Sequence, residues 1–417
     1  MQAFAELGAL IERCWGSQDY QEKSFPGIAS QALAEFNLPE RTDPWEIIRW
    51  VHTTPNLPEQ MDLNAVFGDP PITLYVGSRF YIDAYYWLDG TTSIHQHCFY
   101  GAFQLLLGNS VHSTYRFENQ QEINARFLVG DLLFDHVSLL SEGDIREIVA
   151  GQELIHSLFH LDRPSVTITV RTYKTLNAPI QYRYRKPFIA YDPFFKDQLL
   201  AKQTQTVGLL LSMKHPDADA LIDALLESAD FQTTYFILEK AFEFLCHRPL
   251  ESLLGVSKST DRFQALLDRA RARQGELADR LLPVFEETWR QNDIVRRRDQ
   301  IQDANHRFFL ALLLNVPDRS NVLRLVKERF PEKDPVELIV GWLKELCATK
   351  TFGSREPNVL GIGNFEESHF FVFKELLLGR RAENIGADLA TADFTAPFQD
   401  VANQIKSLPL FKSIFAF

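Results

Sequence analysis

The chain has 417 residues, room for two or three domains, and its 45% hydrophobic and 24% charged residues describe a folded globular protein rather than a disordered or fibrous one. A formal net charge of −12 argues against a surface for nucleic acid or anionic membrane, which needs clustered Lys and Arg, so small molecules or protein partners are expected. Four cysteines, Cys14, Cys98, Cys246 and Cys347, lack any C-x-x-C spacing, and the N-terminus has no basic leader; a cytoplasmic protein without a disulfide framework or signal peptide is expected.

Up to about Thr53 the pattern is helical, with Phe4, Leu7, Leu10 and Ile11 at helical spacing, then Ile28 to Phe36, then Trp45 to Val51 behind Asp43 as N-cap and Pro44 at the first helical position. Prolines break the period between Pro55 and Pro71. From Ile72 to about Tyr184 short β-rich segments follow, including residues 72–76, 80–87, 113–117 and 165–171, separated by Gly, Asp and Asn; this texture predicts an antiparallel barrel or jelly roll. After about Phe195 long amphipathic runs return, and Asp334-Pro335-Val336-Glu337 reads as another helix start with a reciprocal carboxylate at Glu337. The arginines of Arg296-Arg297-Arg298 alternate with acids and read as a solvated helix face. The expected fold is α+β: a helical segment over 1–69, a metal-binding barrel over 70–195, and an all-helical domain over 196–417, possible as a solenoid-like stack and offering a surface for a protein partner or self-association.

In an extended strand His95 and His97 project to the same face, while Gln96 and Cys98 point to the other. Two imidazoles in that arrangement can share a metal, and the downstream stretch Gly151 to His160 can supply a third ligand in His156. Imidazole suits iron, copper, nickel and zinc, and three ligands on one face leave positions open for substrate and O₂, or for water in a zinc hydrolase. His160 reads as a fourth ligand, a proton shuttle, a partner that orients His156, or a plain core histidine. Arg171 shares a strand face with Thr167 and Thr169; it either points into the barrel as a bidentate anchor for an anionic substrate or ends the strand in solvent. Tyr85, Tyr86, Tyr100 and Gln104 are further pocket candidates, whereas His112 reads as an ordinary surface or strand residue.

These histidine stretches resemble the cupin superfamily, whose first motif runs G-x5-H-x-H-x(3,4)-E-x6-G. Gly90, His95, His97 and Gly108 match it one residue short at the start, and the glutamate slot falls on Gly101 or Ala102. In the second motif Gly151 precedes His156, and His160 stands where the family has asparagine. The string Gly90-Thr91-Thr92-Ser93-Ile94-His95-Gln96-His97, followed by Leu106, Gly108 and Asn109, is similar to the cysteine dioxygenase branch, which also lacks the glutamate. The resemblance spans about residues 80–173. It implies a cupin barrel holding Fe(II), or another divalent transition metal, on His95, His97 and His156, and a mononuclear non-haem dioxygenase acting with O₂ on a small thiol- or amino-acid-like substrate.

Two features of that branch are missing here. Its crosslinking cysteine falls on Gly101 or Ala102, and its tyrosine partner falls on Arg171 or Tyr173 according to the gap. No arginine matches its carboxylate clamp, so cysteine itself is not the expected substrate, and Arg171 is the replacement anchor. The alternatives are a non-catalytic cupin that senses a ligand or metal and controls the helical region, or a metal-dependent isomerase or hydrolase.

Overall fold

The computed structural model describes residues 1–88, 93–246, 252–350, 356–363, 365–380 and 397–415, with backbone alone for 252–260; Gly90, Thr91 and Thr92 of the histidine motif lie outside the described residues. Four helices open the chain, α1 (Gln2–Gly16), α2 (Phe25–Phe36), α3 (Leu38–Arg41) and α4 (Pro44–Thr53). Asp43 caps α4 as its sequence predicts, accepting a hydrogen bond from the Trp45 amide at 2.9 Å, with Pro44 in the first turn. Among the described residues eleven strands follow: β1 (Pro71–Val76), β2 (Phe80–Trp87), β3 (His95–His97), β4 (Gly101–Leu107), β5 (Ser110–Asn124), β6 (Phe127–Leu140), β7 (Ile145–Ile148), β8 (Gly151–His160), β9 (Ser165–Thr172), β10 (Arg183–Arg185) and β11 (Ile189–Tyr191).

The helices described in the remainder are α5 (Gln198–Ser212), α6 (Ala218–Ser228), α7 (Phe231–Leu245), α8 (Ser252–Gln274), α9 (Leu281–Asp299), α10 (Ala304–Asn315), α11 (Arg319–Arg329), α12 (Pro335–Ala348), α13 (Glu367–Leu378), α14 (Phe398–Ser407) and α15 (Lys412–Phe415). The α+β class, with a barrel between helical regions, is therefore present. Among the described residues no helix is long and apolar enough to cross a membrane.

Five strands form an antiparallel sheet in the order β1-β2-β9-β4-β7, and the other six follow the order β10-β11-β6-β5-β8-β3 in a closed barrel. The chain divides into two compact units, one of Met1–Tyr115, Phe134–Pro179 and Asn292–Phe417, the other of Arg116–Leu133 and Ile180–Gln291. In the first unit the strand period of two sorts the five-stranded sheet into two faces. Phe80, Ile82, Ala84 and Tyr86 of β2, with Val166, Ile168 and Val170 of β9, join Phe4, Leu7, Ile11 and Phe25 in one core, so α1 and α2 cover that face. Residues of opposite parity, among them Tyr85, Trp87, Thr167, Thr169 and Arg171, are left to line a pocket.

A second core of this unit joins Val111, Val137 and Phe159 from the strands to the C-terminal helices. Its centre is α10, whose residues from Arg307 to Asn315 are all buried, as a helix apolar on every side requires. Here the arginine run departs from its solvated reading. Arg296 is exposed and pairs with Asp293 and Glu356, but Arg297 and Arg298 are buried. Arg298 donates to the carbonyls of His160 and Leu161 at 3.4 Å, because the last turn of α9 faces the barrel strands of its unit rather than water. Asp334 caps α12 through the Glu337 amide at 2.9 Å, while the Glu337 carboxylate pairs with Lys374 at 2.5 Å.

The second unit is built on its own core, in which Phe127, Val129 and Ile189 of the strands meet Tyr235, Leu238 and Phe242 of α7 and Phe285 of α9. Asp197 and Asp230 cap α5 and α7 through the amides of Leu200 and Thr233, at 2.8 and 2.7 Å.

Candidate metal centre

Strand pairing brings the two histidine stretches together. His95 of β3 lies directly opposite His156 of β8, and a bulge follows, so that His97 pairs with Gly151. In an antiparallel pair, opposed residues share a face, so the third imidazole meets the first two without any loop to carry it. All three are buried, and each offers a ring nitrogen such that the three lie within 4.8 Å of one another. The Nε2 atoms of His97 and His156 are 2.9 Å apart. Two nitrogens each about 2.1 Å from one ion, and set at a right angle, would stand roughly 3 Å apart.

Hydrogen bonds on the far side of two of the rings, His95 and His156, fit the same use. His95 Nδ1 is 2.7 Å from the Ser93 carbonyl, which can only accept, so Nδ1 carries the proton and Nε2 presents its lone pair. Nδ1 of His156 is 2.8 Å from Nε2 of His112. Burial, then the charge that His95 would carry, holds His97 and His156 well below the ordinary imidazole range; Arg171 adds to this at His97. Both are therefore neutral near pH 7, the form that binds a metal ion. A buried donor set of three imidazole nitrogens fits a divalent transition metal, and it does not by itself select which one.

His112 is the buried neighbour of the three histidines that sequence reasoning passed over. It lies on β5 opposite Leu158, two residues along from the pair formed by Thr114 and His156, so period-two alternation turns it to the same side as His156. Burial, with smaller contributions from Arg146 and His136, pushes its pKa down to about 3, and a neutral His112 can accept the Nδ1 proton of a metal-bound His156. His112→Ala is expected to weaken metal binding by about 10- to 100-fold without abolishing it, the usual cost of losing a partner that orients a ligand. Competition against a graded chelator measures this; an unchanged affinity would show that His112 only packs.

His160 stands outside the three-histidine group. It is buried, its Nδ1 lies 3.1 and 3.0 Å from the hydroxyls of Ser110 and Ser165, and its ring stacks on Trp87 at 4.6 Å. Burial pushes its pKa down to about 3. Its position is behind Trp87, whose indole faces the pocket and donates to Thr167 at 3.0 Å.

The pocket holds about 50 Å³ and takes its walls from both sheets: the three histidines, Phe99, Phe103, Ile148, Leu158, Tyr85, Trp87, Thr167, Thr169 and Arg171, with Phe67 from the loop before β1. At roughly 30 Å³ per water in the liquid, this is space for about one or two waters. Phe99 links the two polar ends, its ring 4.7 Å from that of His97 and 3.6 Å from the guanidinium carbon of Arg171. Burial works against the Arg171 charge, but Tyr85, Tyr81 and Asp83 outweigh it and Arg171 stays protonated. Its Nε is buried without a hydrogen-bond partner, a donor that a ligand anion could satisfy.

Asp83, behind Tyr85, is raised by burial against the hydrogen bonds it accepts from Thr73 and Tyr85, both at 2.8 Å. Of the other tyrosine and glutamine candidates only Tyr85 lines the pocket; Tyr86 turns away to donate to the Pro44 carbonyl, Gln104 to the Gly143 carbonyl, and Tyr100 packs under the N-terminal helices. Tyr173 likewise points elsewhere, donating to the Gly77 carbonyl at 3.1 Å. Gly101 sits against β9, where a Cβ would collide with the Val170 carbonyl oxygen beside Arg171, so no larger residue fits. Gly108 turns β4 into β5 with φ +84°, a left-handed conformation that costs glycine little.

A closed six-stranded barrel with three histidines on neighbouring strands fits a cupin. No family model matches the chain, and no curated protein matches it. Solved structures similar to parts of it include a hydroquinone 1,2-dioxygenase from Sphingomonas sp. TTNP3, at 8% identity over 27% of this chain and 70% of that one, with a TM-score of 0.21. A DMSP lyase, DddQ, from Ruegeria pomeroyi DSS-3 is 15% identical over 43% of this chain and 95% of that one, with a TM-score of 0.22. The capsular polysaccharide assembling protein CapF from Staphylococcus aureus is 16% identical over 31% of this chain and 33% of that one, also at 0.22. At such identities and TM-scores the likeness does not bear on what this chain binds or converts.

Proposed function

We propose that this protein is a mononuclear non-haem metal enzyme, with Fe(II) on His95, His97 and His156, that oxidises a small anionic substrate with O₂. The observation that carries this reading is one small pocket with three buried imidazoles at one end and a protonated, incompletely partnered guanidinium at the other. When bound, iron(II) supplies the redox centre for reaction with O₂. The protein's part is positioning: the Arg171 fork receives a carboxylate or similar anion, held by its stacking on Phe99 and by the Tyr85–Asp83 pair behind it. Phe99, Phe103, Ile148 and Leu158 keep water from the rest of the cavity, which strengthens that ion pair.

The proposed substrate is a small thiol or amino acid with its anionic group placed for Arg171 rather than for the clamp of the cysteine dioxygenases. O₂ uptake by iron-loaded protein, screened over small thiols, amino acids and other carboxylates, tests this. Uptake stoichiometric with one anionic substrate is expected. Product formed without O₂ would favour an isomerase or hydrolase, and tight binding without turnover would favour a sensor.

A further inference from the structure

We infer that Phe67 is the size-selecting residue at the mouth of the pocket, a role that rests on reading the pocket as a substrate site. Among the described residues that line it, Phe67 alone comes from outside the strands of the two sheets and the β3–β4 connection, and it is 40% exposed while the pocket's histidines are buried. Its ring stands edge-on to three others, Tyr85 at 5.6 Å, Trp87 at 5.1 Å and His95 at 6.2 Å, and so spans from the Arg171 side of the pocket to the histidine side. An outer wall placed this way sets how long a molecule can be and still reach the histidines.

The loop that carries Phe67 is tied to the pocket. Asp62 accepts from the amides of Asn64 and Phe67, each at 3.1 Å, which fixes the turn that presents the ring. Upstream, Gln60 pairs with the backbone of Thr73 in both directions, at 3.0 and 2.9 Å, and the Thr73 hydroxyl donates to Asp83, which also accepts from Tyr85. One hydrogen-bonded chain therefore joins the loop to the tyrosine on which Phe67 rests. Gly68, with φ +88°, lets the backbone pass so near Tyr85 that a Cβ there would stand 3.0 Å from its ring. Leu63 and Val66, beside it, are more exposed, at 84% and 72%, and do not line the pocket.

For anything larger than the cavity to enter, the Phe67 ring must leave its three ring contacts, each worth roughly a 2- to 10-fold bias toward the closed arrangement. The test uses diethyl pyrocarbonate, which acylates neutral imidazoles, on metal-free protein, with adducts on His97 and His156 followed by peptide mass spectrometry. His52 on α4, exposed and remote in sequence, is the internal control. Phe67→Ala is expected to speed modification of His97 and His156 by about 10-fold or more relative to His52, and Phe67→Trp to leave it at or below the wild-type rate. Equal rates in wild type and Phe67→Ala would overturn the inference, as would an increase of the same size in Phe67→Trp. Repeating the series with cobalt(II) separates the two readings. Protection of both histidines in every variant is expected if the three-histidine site holds a metal, and its absence would count against the metal site while the metal-free rates still judge Phe67.

Discussion

Replacing His97 or His156 with alanine is expected to strip the purified protein of its transition metal and leave its helical content unchanged. Each substitution removes one of the three nitrogens that, among the described residues, converge within 4.8 Å, and the remaining pair cannot hold a divalent ion against dialysis. The loss should exceed the about 10- to 100-fold expected for His112→Ala, because a ligand is removed rather than the group that orients it. Neither variant should unfold, since the main cores of the unit are built by other residues, around Phe4 and Phe25 on one side and Phe309 on the other. Metal-to-protein ratios together with far-UV circular dichroism check both halves. Full occupancy in both variants would remove the three-histidine site from the account.

Arg171→Ala should do the opposite, keeping the metal and losing the substrate. Truncating one partner of a buried charge pair costs about 2–5 kcal/mol, so KM for the anionic substrate should rise by roughly 30-fold or more. Arg171→Lys should fall between, because lysine keeps the charge but not the planar fork. Part of the change will appear at Asp83: without the guanidinium, its carboxyl, already raised by burial, moves further up and keeps its proton to higher pH. Metal content near wild type with impaired substrate binding is the expected pattern. An unchanged KM, or metal lost in proportion to activity, would assign Arg171 to the framework.

The site was readable in the sequence where it follows strand alternation. His95 and His97 announce a shared face by spacing alone, and the same period assigns Arg171 to the side of Thr167 and Thr169, the face that lines the pocket. His112 was not readable that way, because its contact with His156 depends on the register of β5 against β8, and a one-residue slip would have turned it outward. Phe67 lies in an aperiodic, proline-bounded loop, where nothing local says which side chain will reach back over the strands. The helix starts at Asp43 and Asp334 were legible because capping is local chemistry. The buried arginines Arg297 and Arg298 were not, since the acidic neighbours that suggested a solvated face leave out the packing of α9 against its unit.

The most direct test of the central claim is the metal itself, measured by elemental analysis and X-ray absorption on protein purified from its own host. One transition metal ion per chain, iron foremost, in an environment of imidazole nitrogen with other light atoms and no sulfur, is the predicted result. A metal-free protein that takes up no ion on titration, or a shell containing the sulfur of Cys98, would contradict it.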